Sequence, residues 1–300
     1  MLEVKRLNKS FGQMQAVNDL SFQIEDGQIL GLIGQNGAGK TTTFRMILGL
    51  MQADQGEVLW NGEPIGPKHQ NLIGYLPEER GLYPKETVEH QIIYFGNLRG
   101  IPAPKLKQEV DAWLEKFAVK GKKSDKIKSL SKGNQQKVQL ITTLIHRPKL
   151  VILDEPFSGL DPLNADIMKQ AILELKKAGA CVIFSSHNMA NVEELCDQLL
   201  MIKDGKEVLA GTVTDIRESF GRIKVFLEAQ VTLAELEALP YVEKVKEKQK
   251  LFEVTLTTPE AGKELFKFAL KDDYIATFSQ QPLSLEEIFK LKAGQVKRDE

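Results

Sequence analysis

Residues 29–42 read Ile29-Leu30-Gly31-Leu32-Ile33-Gly34-Gln35-Asn36-Gly37-Ala38-Gly39-Lys40-Thr41-Thr42. The first five form a short apolar run, the pattern of a strand buried on both faces of a parallel sheet. The next nine have the spacing of a phosphate-binding loop. Glycines at 34, 37 and 39 free the backbone to curl until several N–H groups face one point, and that point suits a phosphate. From Thr42 to Leu50, Phe44, Ile47 and Leu48 return at helical spacing. Strand, glycine loop and helix is the context such a loop requires. Backbone amides and the positive end of the helix offset the charge of a polyphosphate, Lys40 reaches its terminal phosphates, and the Thr41 hydroxyl suits Mg²⁺. Gly34, Asn36, Gly37, Ala38, Gly39, Lys40, Thr41 and Thr42 are therefore the candidate nucleotide-binding residues.

The rest of the composition bounds the answer. Three hundred residues allow one large domain or two ordinary ones, and 42% hydrophobic with 27% charged residues is a globular balance. A net charge of −1 provides no global basic field, so nucleic acid is not the expected partner. Cys181 sits in an apolar run and Cys196 in a helical-looking stretch; both read as buried free thiols in a reducing cytosol. Met1 to Lys5 lacks a signal-peptide core, and no apolar run approaches the ~20 residues of a membrane span. The chain is expected to stay out of the bilayer.

Around the phosphate loop the chain alternates between sheet and helix signals. Residues 1–25 alternate like half-buried strands and predict an antiparallel sheet, with Phe11 in a turn between two of them. Gly56 to Gly62 reads as a strand closed by an Asn-Gly turn, and 72–76 as another. A polar loop from Pro77 to Pro84 follows, carrying Glu78 and Glu79. Helical spacing over 87–98 and 105–117, broken by Pro102 and Pro104, predicts an inserted helical block in which Trp113, Leu114 and Phe117 pack. Ser129 to Gln136 then opens a helix running to about His146. Ser131 there is placed to cap it, which alone explains a serine, although a polar, glycine-containing helix start is also an anion site.

Two more apolar strands end in reactive groups. Leu150 to Leu153 runs into Asp154-Glu155-Pro156, and Ala180 to Phe184 into Ser185-Ser186-His187. With the phosphate loop, three strand ends carry polar chemistry, which is where an open parallel sheet binds its ligand. They are predicted to converge. Two short strands about Asp204-Gly205 and a helix over 212–220 follow. Beyond Gly221 the order becomes β-α-β-β-α-β, a small α+β ferredoxin-like domain over 221–300 with a final helix near 285–291.

In this order, the phosphate loop, LSKGNQQ (130–136), LVILDEP (150–156) and Ser185-Ser186-His187 resemble the nucleotide-binding subunits of ABC transporters over residues 1 to about 215. GYLPEERGLYP (74–84), LSKGNQQ and the C-terminal extension look like the bacterial type 2 export branch, which includes sodium and drug exporters. The resemblance implies an α/β P-loop cassette: a parallel core sheet, an antiparallel N-terminal sheet and a helical subdomain over about 85–147. It further implies ATP hydrolysis by two cassettes facing head to tail around two Mg-ATP. Ser131, Lys132, Gly133 and Asn134 would then serve the nucleotide held by Lys40 of the partner subunit. Asp154 would hold Mg²⁺ beside Thr41, Glu155 would orient or deprotonate the attacking water, and His187 would contact the γ-phosphate. Phe11 resembles the adenine-stacking aromatic, with Val17 packing beside it.

Asp161, in Ser158-Gly159-Leu160-Asp161, matches the loop through which opposing sites sense each other; an ordinary turn capping the next helix remains the alternative. Three positions depart from the family's pattern. Glu78 replaces a glutamine in the coupling loop; a carboxylate can still ligate Mg²⁺ but cannot donate an amide hydrogen bond. Lys132 replaces a glycine and Asn134 a glutamine. The resemblance also implies an integral membrane permease as partner, a homodimer of this chain, and a cytoplasmic location peripheral on the inner face of the cell membrane. The rival reading is a soluble ABC ATPase acting on ribosomes or in DNA repair; those commonly carry two cassettes or a long coiled coil, and this sequence has one phosphate loop and no long heptads. A binding module without turnover is opposed by the intact Lys40, Asp154, Glu155 and His187.

Overall fold

The first strands, β1 (Leu2–Phe11) and β2 (Met14–Ile24), pair antiparallel from Leu2↔Ile24 to Phe11↔Met14. Leu2, Val4, Leu7, Val17 and Leu20 all point inward because the alternation is reset by irregularities in the pairing, with Arg6 at φ 48° and Asp19 at φ 51°. β1 continues through Phe11, so the turn is Gly12-Gln13 and Phe11, expected in a turn, lies on a strand end. The structure is a computed structural model describing residues 1–79, 81–270 and 274–294. It divides into two units, Met1–Ala210 and Gly211–Glu300.

In the first unit β3 (Ile29–Ile33) leads to α1 (Lys40–Ile47). Next come β4 (Gln55–Trp60) and β5 (Glu63–Pro64), joined at Asn61 and Gly62, whose φ values of 50° and 81° suit a tight hairpin turn. β6 (Ile73–Leu76) precedes α2 (Val88–Leu98), α3 (Ala103–Lys116) and α4 (Lys132–Leu144). β7 (Leu150–Leu153), α5 (Pro162–Lys177), β8 (Cys181–Ser185), α6 (Met189–Leu195), β9 (Gln198–Lys203) and β10 (Lys206–Thr212) complete the order.

The strands form a four-stranded sheet, β2-β1-β4-β5, and a six-stranded sheet, β10-β9-β3-β8-β7-β6. In the larger one β6, β7, β8, β3 and β9 run parallel. Every residue of β3, β7 and β8 is buried, which is why these strands read as unbroken apolar runs. Phe44 and Ile47, both fully buried, place α1 in one core with Leu30, Leu32, Ile152 and Ile183. Each such side chain contributes roughly 2–3 kcal/mol on burial. Parallel alignment puts the carboxyl ends of β3, β7 and β8 at one edge, and the polar residues follow there.

α2, α3 and α4 make the helical block. Pro102 stands at the N-cap position of α3, and Trp113 and Phe117 stack with centroids 5.9 Å apart. Lys116 sits over both rings and pairs with Glu174 of α5 at 2.6 Å.

The second unit begins with α7 (Val213–Ser219), the helix expected over 212–220. β11 (Lys224–Ala229), α8 (Leu233–Glu237), β12 (Val242–Lys248), β13 (Leu251–Leu256), α9 (Ala261–Ala269) and β14 (Ile275–Gln281) follow, then α10 (Leu285–Gly294). Strand order β12-β13-β11-β14 with antiparallel pairing throughout is the ferredoxin-like arrangement. Val225, Leu227, Val254 and Leu256 alternate onto the fully buried face with Leu236 and Leu265. On the other face Lys224 contacts Glu253 at 3.0 Å and Glu287 at 2.7 Å. Of the stretches singled out in the sequence, Arg80 of GYLPEERGLYP and residues 271–273 and 295–300 of the second domain lie outside the described residues.

Candidate nucleotide site

The phosphate loop leaves β3 at Ile33 and closes against the N-terminal sheet. Gly39 has φ 105°, and a Cβ there would lie 2.3 Å from the carbonyl oxygen of Ala16, so no side chain fits. The Gly205 N–H donates to the carbonyl oxygen of Ala38 at 3.1 Å, bracing the loop from the β9–β10 turn. Lys40, only 7% exposed, donates from Nζ to the carbonyl oxygens of Gly34 at 2.7 Å and Gln35 at 3.2 Å. Its charge is thereby held over the loop that encloses it.

A cleft of about 330 Å³ opens beside the loop. The loop and the start of α1 line it with Asn36, Gly37, Gly39, Lys40, Thr41 and Thr42; the N-terminal sheet adds Phe11, Met14 and Ala16; Glu78, Asp154 and Glu155 close it. Phe11 is 45% exposed, with the Lys9 ammonium over its ring at 5.8 Å from the centroid. Val17 is buried in the core beneath the loop and does not line the cleft, nor do Gly34 and Ala38. Met14 and Ala16 line it without any motif to announce them, since their place depends on how the two sheets meet.

Both carboxylates arrive on β7. The Asp154 side chain is buried, with Thr41 Oγ1 donating to Oδ2 at 3.1 Å and Ser185 Oγ donating to Oδ1 at 2.7 Å. Thr41 and Asp154 thus offer hard oxygen donors at adjacent positions, a donor set that fits Mg²⁺, which keeps waters and takes phosphate oxygens for its other positions. Among the described residues no group of three or more His, Cys, Asp and Glu side chains could form a self-sufficient metal cage. Burial first, then the charge of Asp154, pushes the Tyr75 phenol up to about 12, so it stays neutral.

Glu155 adopts φ 49°, a left-handed conformation costly for a non-glycine residue, and its N–H donates to Ser185 Oγ at 2.8 Å. Its Oε2 lies 2.9 Å from Nδ1 of His187, two residues past the end of β8. A carboxylate beside Nδ1 assigns the ring proton to that nitrogen. His187 is 75% exposed at the side chain while Glu155 is 10%, so the histidine forms the outer wall of the pair.

The sequence motif 131–134 lies elsewhere: none of its residues lines this cleft. Ser131 caps α4, accepting from Asn134 Nδ2 at 3.0 Å and from the Asn134 N–H at 3.4 Å. Asn134 Oδ1 accepts from the Lys120 N–H at 3.0 Å, and Lys132 is exposed. Asp161 caps α5, accepting from the Asn164 N–H at 2.9 Å, a bond that holds its carboxyl below the usual range. A Cβ on Gly133 would lie 2.7 Å from Asn164 Nδ2, so the two motifs touch. Gln136, the last residue of LSKGNQQ (130–136), and Gln139, which carried no expectation, tie the site together. Gln136 Nε2 donates to the Pro156 carbonyl at 2.7 Å, and Gln139 Nε2 to the carbonyls of Pro77 and Glu79 at 3.5 and 3.3 Å.

The family profile described as ABC transporter matches residues 17–158, and that described as the DrrA1-3-like ATP-binding protein C-terminal domain matches 211–293. The chain is similar to the uncharacterized ABC transporter ATP-binding protein YhaQ of Bacillus subtilis, 41% identical over 99% of both chains. It is also 30% identical to the Nod factor export ATP-binding protein I of a Rhizobium species, over 98% of this chain and 97% of the relative. A solved ATP-binding subunit of an ABC transporter, 33% identical, superposes with a TM-score of 0.69 over 74% of this chain and 93% of its own. The chain therefore belongs to the ATP-binding proteins of ABC transporters. It is an ATPase with a C-terminal domain of the DrrA1-3-like family. No helix among the described residues is long and apolar enough to cross a membrane.

Proposed function

We propose that this chain hydrolyses ATP as one half of a head-to-tail dimer and drives a separate membrane-spanning permease, exporting a solute. The observation that carries the reading is the meeting of Lys40, Thr41, Asp154 and Glu155 in one cleft, with His187 held against Glu155 beyond its lining, while residues 131–134 neither line the cleft nor contact those groups. A second copy is then needed to bring Ser131, Lys132, Gly133 and Asn134 to the nucleotide. Export as the direction is supported by the similarity to the Nod factor export protein.

Each residue has a role that its surroundings support. The loop amides and Lys40 bind the phosphates, and Phe11 stacks on the base. Thr41 and Asp154 hold Mg²⁺, with Glu78 at the cleft wall as a further oxygen donor; the bound ion neutralises phosphate charge. Glu155 orients the attacking water and accepts its proton. His187, with Nδ1 on Glu155, leaves Nε2 to contact the γ-phosphate. Phosphoryl transfer needs chiefly positioning and charge neutralisation, which these groups supply. The permease would dock on the helical block, where Tyr83, Pro84, Lys85, Glu86, His90, Gln91 and Tyr94 line a groove of about 500 Å³.

Glu155→Gln is the decisive experiment. It should stop hydrolysis yet leave ATP-driven dimerisation intact, read by gel filtration with and without ATP. Turnover at the parent rate would remove Glu155 from the reaction.

A further inference from the structure

Ser185 is the last residue of β8, fully buried, in register with Leu32 on β3. Every other residue of that strand is apolar, and a buried hydroxyl is costly unless it is satisfied. Here both of its capacities are used. The hydroxyl donates to Asp154 Oδ1 at 2.7 Å and accepts from the Glu155 N–H at 2.8 Å.

These two bonds act on different parts of the machinery. With Thr41 on Oδ2, the bond to Oδ1 leaves the Asp154 carboxylate one orientation. The bond from the Glu155 N–H holds a backbone at φ 49°, and that conformation sets where the Glu155 side chain starts. Ser186 does nothing comparable: its hydroxyl serves the local turn at Asn188.

We propose that Ser185 is a positioning residue for ATP hydrolysis, whose single hydroxyl sets the metal-holding carboxylate of Asp154 and the water-activating Glu155 in one geometry. The inference rests on the roles given above to those two acids. A charge-assisted bond and a backbone bond are lost together when the hydroxyl is removed, while the loop amides and Lys40 are untouched.

The test uses the full chain, at concentrations where the parent turns over, with Ser185→Ala, Ser185→Thr and Glu155→Gln side by side. Ser185→Ala should lower kcat about tenfold and raise the half-saturating Mg²⁺ concentration several-fold, with ATP binding in EDTA unchanged. Ser185→Thr, which keeps the hydroxyl, should restore both. A folded Ser185→Ala protein with the parent's kcat and Mg²⁺ dependence would overturn the assignment, even if it melted earlier, because a scaffold role moves only the melting point. Loss of ATP binding in EDTA would also overturn it, by making the serine a support of the phosphate loop. If Ser185→Ala is silent while Glu155→Gln is inactive, only the serine's role fails; an active Glu155→Gln removes the reading of the acids beneath it.

Discussion

Gln136 and Pro156 are joined by one buried hydrogen bond: the side-chain amide on α4 donates at 2.7 Å to the carbonyl that follows the two acids. The helix that begins at Ser131 is therefore tied, inside one chain, to the loop leaving Glu155. On the proposed reading, a displacement of the helical block would be felt at the segment that carries Glu155.

Replacing Gln136 with Ala should cost about 1–3 kcal/mol, because the Pro156 carbonyl loses its buried donor. Urea denaturation reads the stability, and steady-state assays read turnover, which should fall while ATP binding holds. A variant as stable and as active as the parent would show that the tie transmits nothing.

Gly39→Ala should be far more damaging than a substitution at another left-handed glycine. Its Cβ would meet backbone, the Ala16 carbonyl at 2.3 Å, whereas a Cβ on Gly62, at φ 81°, meets nothing within 4 Å. Gly62→Ala pays conformational strain alone, about 1 kcal/mol. Binding of a fluorescent ATP analogue should vanish in the first and survive in the second; equal affinities would contradict the packing of the loop on β2.

His146, just past α4, gives the cassette a pH dependence. Burial pushes its pKa down to about 4, against the help of the Ile73 carbonyl, which lies 3.1 Å from Nε2. The unfolded chain therefore binds a proton that the folded chain refuses between about 6.5 and 4. Stability from the neutral ring is complete above 6.5 and falls as pH drops through that window, by on the order of 1–2 kcal/mol at pH 5. Urea midpoints at pH 7.5 and 5 should show this slope in the parent and a smaller one in His146→Gln. Equal slopes would mean another group is responsible.

A chain ending at Thr212 should still fold and bind ATP. β10 is then complete, and the core of the second unit, built on Val225, Leu227 and Val254, is separate from that of the first. Calorimetry of the shortened chain should give one transition with ATP-dependent stabilisation. An insoluble or ATP-blind product would make residues 211–300 part of the cassette's own folding unit.

Much of this architecture could be read along the chain. β3, β7 and β8 are legible because strands buried on both faces must be apolar throughout, and Asn61-Gly62 because that turn needs two left-handed residues. The ferredoxin-like order is legible from the succession of strand and helix patterns. Phe11 was read as a turn residue, but pairing with Met14 extends β1 through it. Val17, expected to pack beside Phe11, is buried under the loop, its Cγ2 3.5 Å from where a Cβ on Gly39 would stand.

By itself, then, the sequence determined the elements and the chemistry at their ends, because periodicity and glycine spacing act over a few residues. Only the tertiary structure decided which groups hold one another. Ser185 reaches Asp154 across 31 positions and Gln136 reaches Pro156 across 20, and nothing local in the chain marks either pair. Those contacts follow from β8 lying beside β7 in the sheet and from α4 packing near the β7 end, arrangements set by the burial of the whole apolar core.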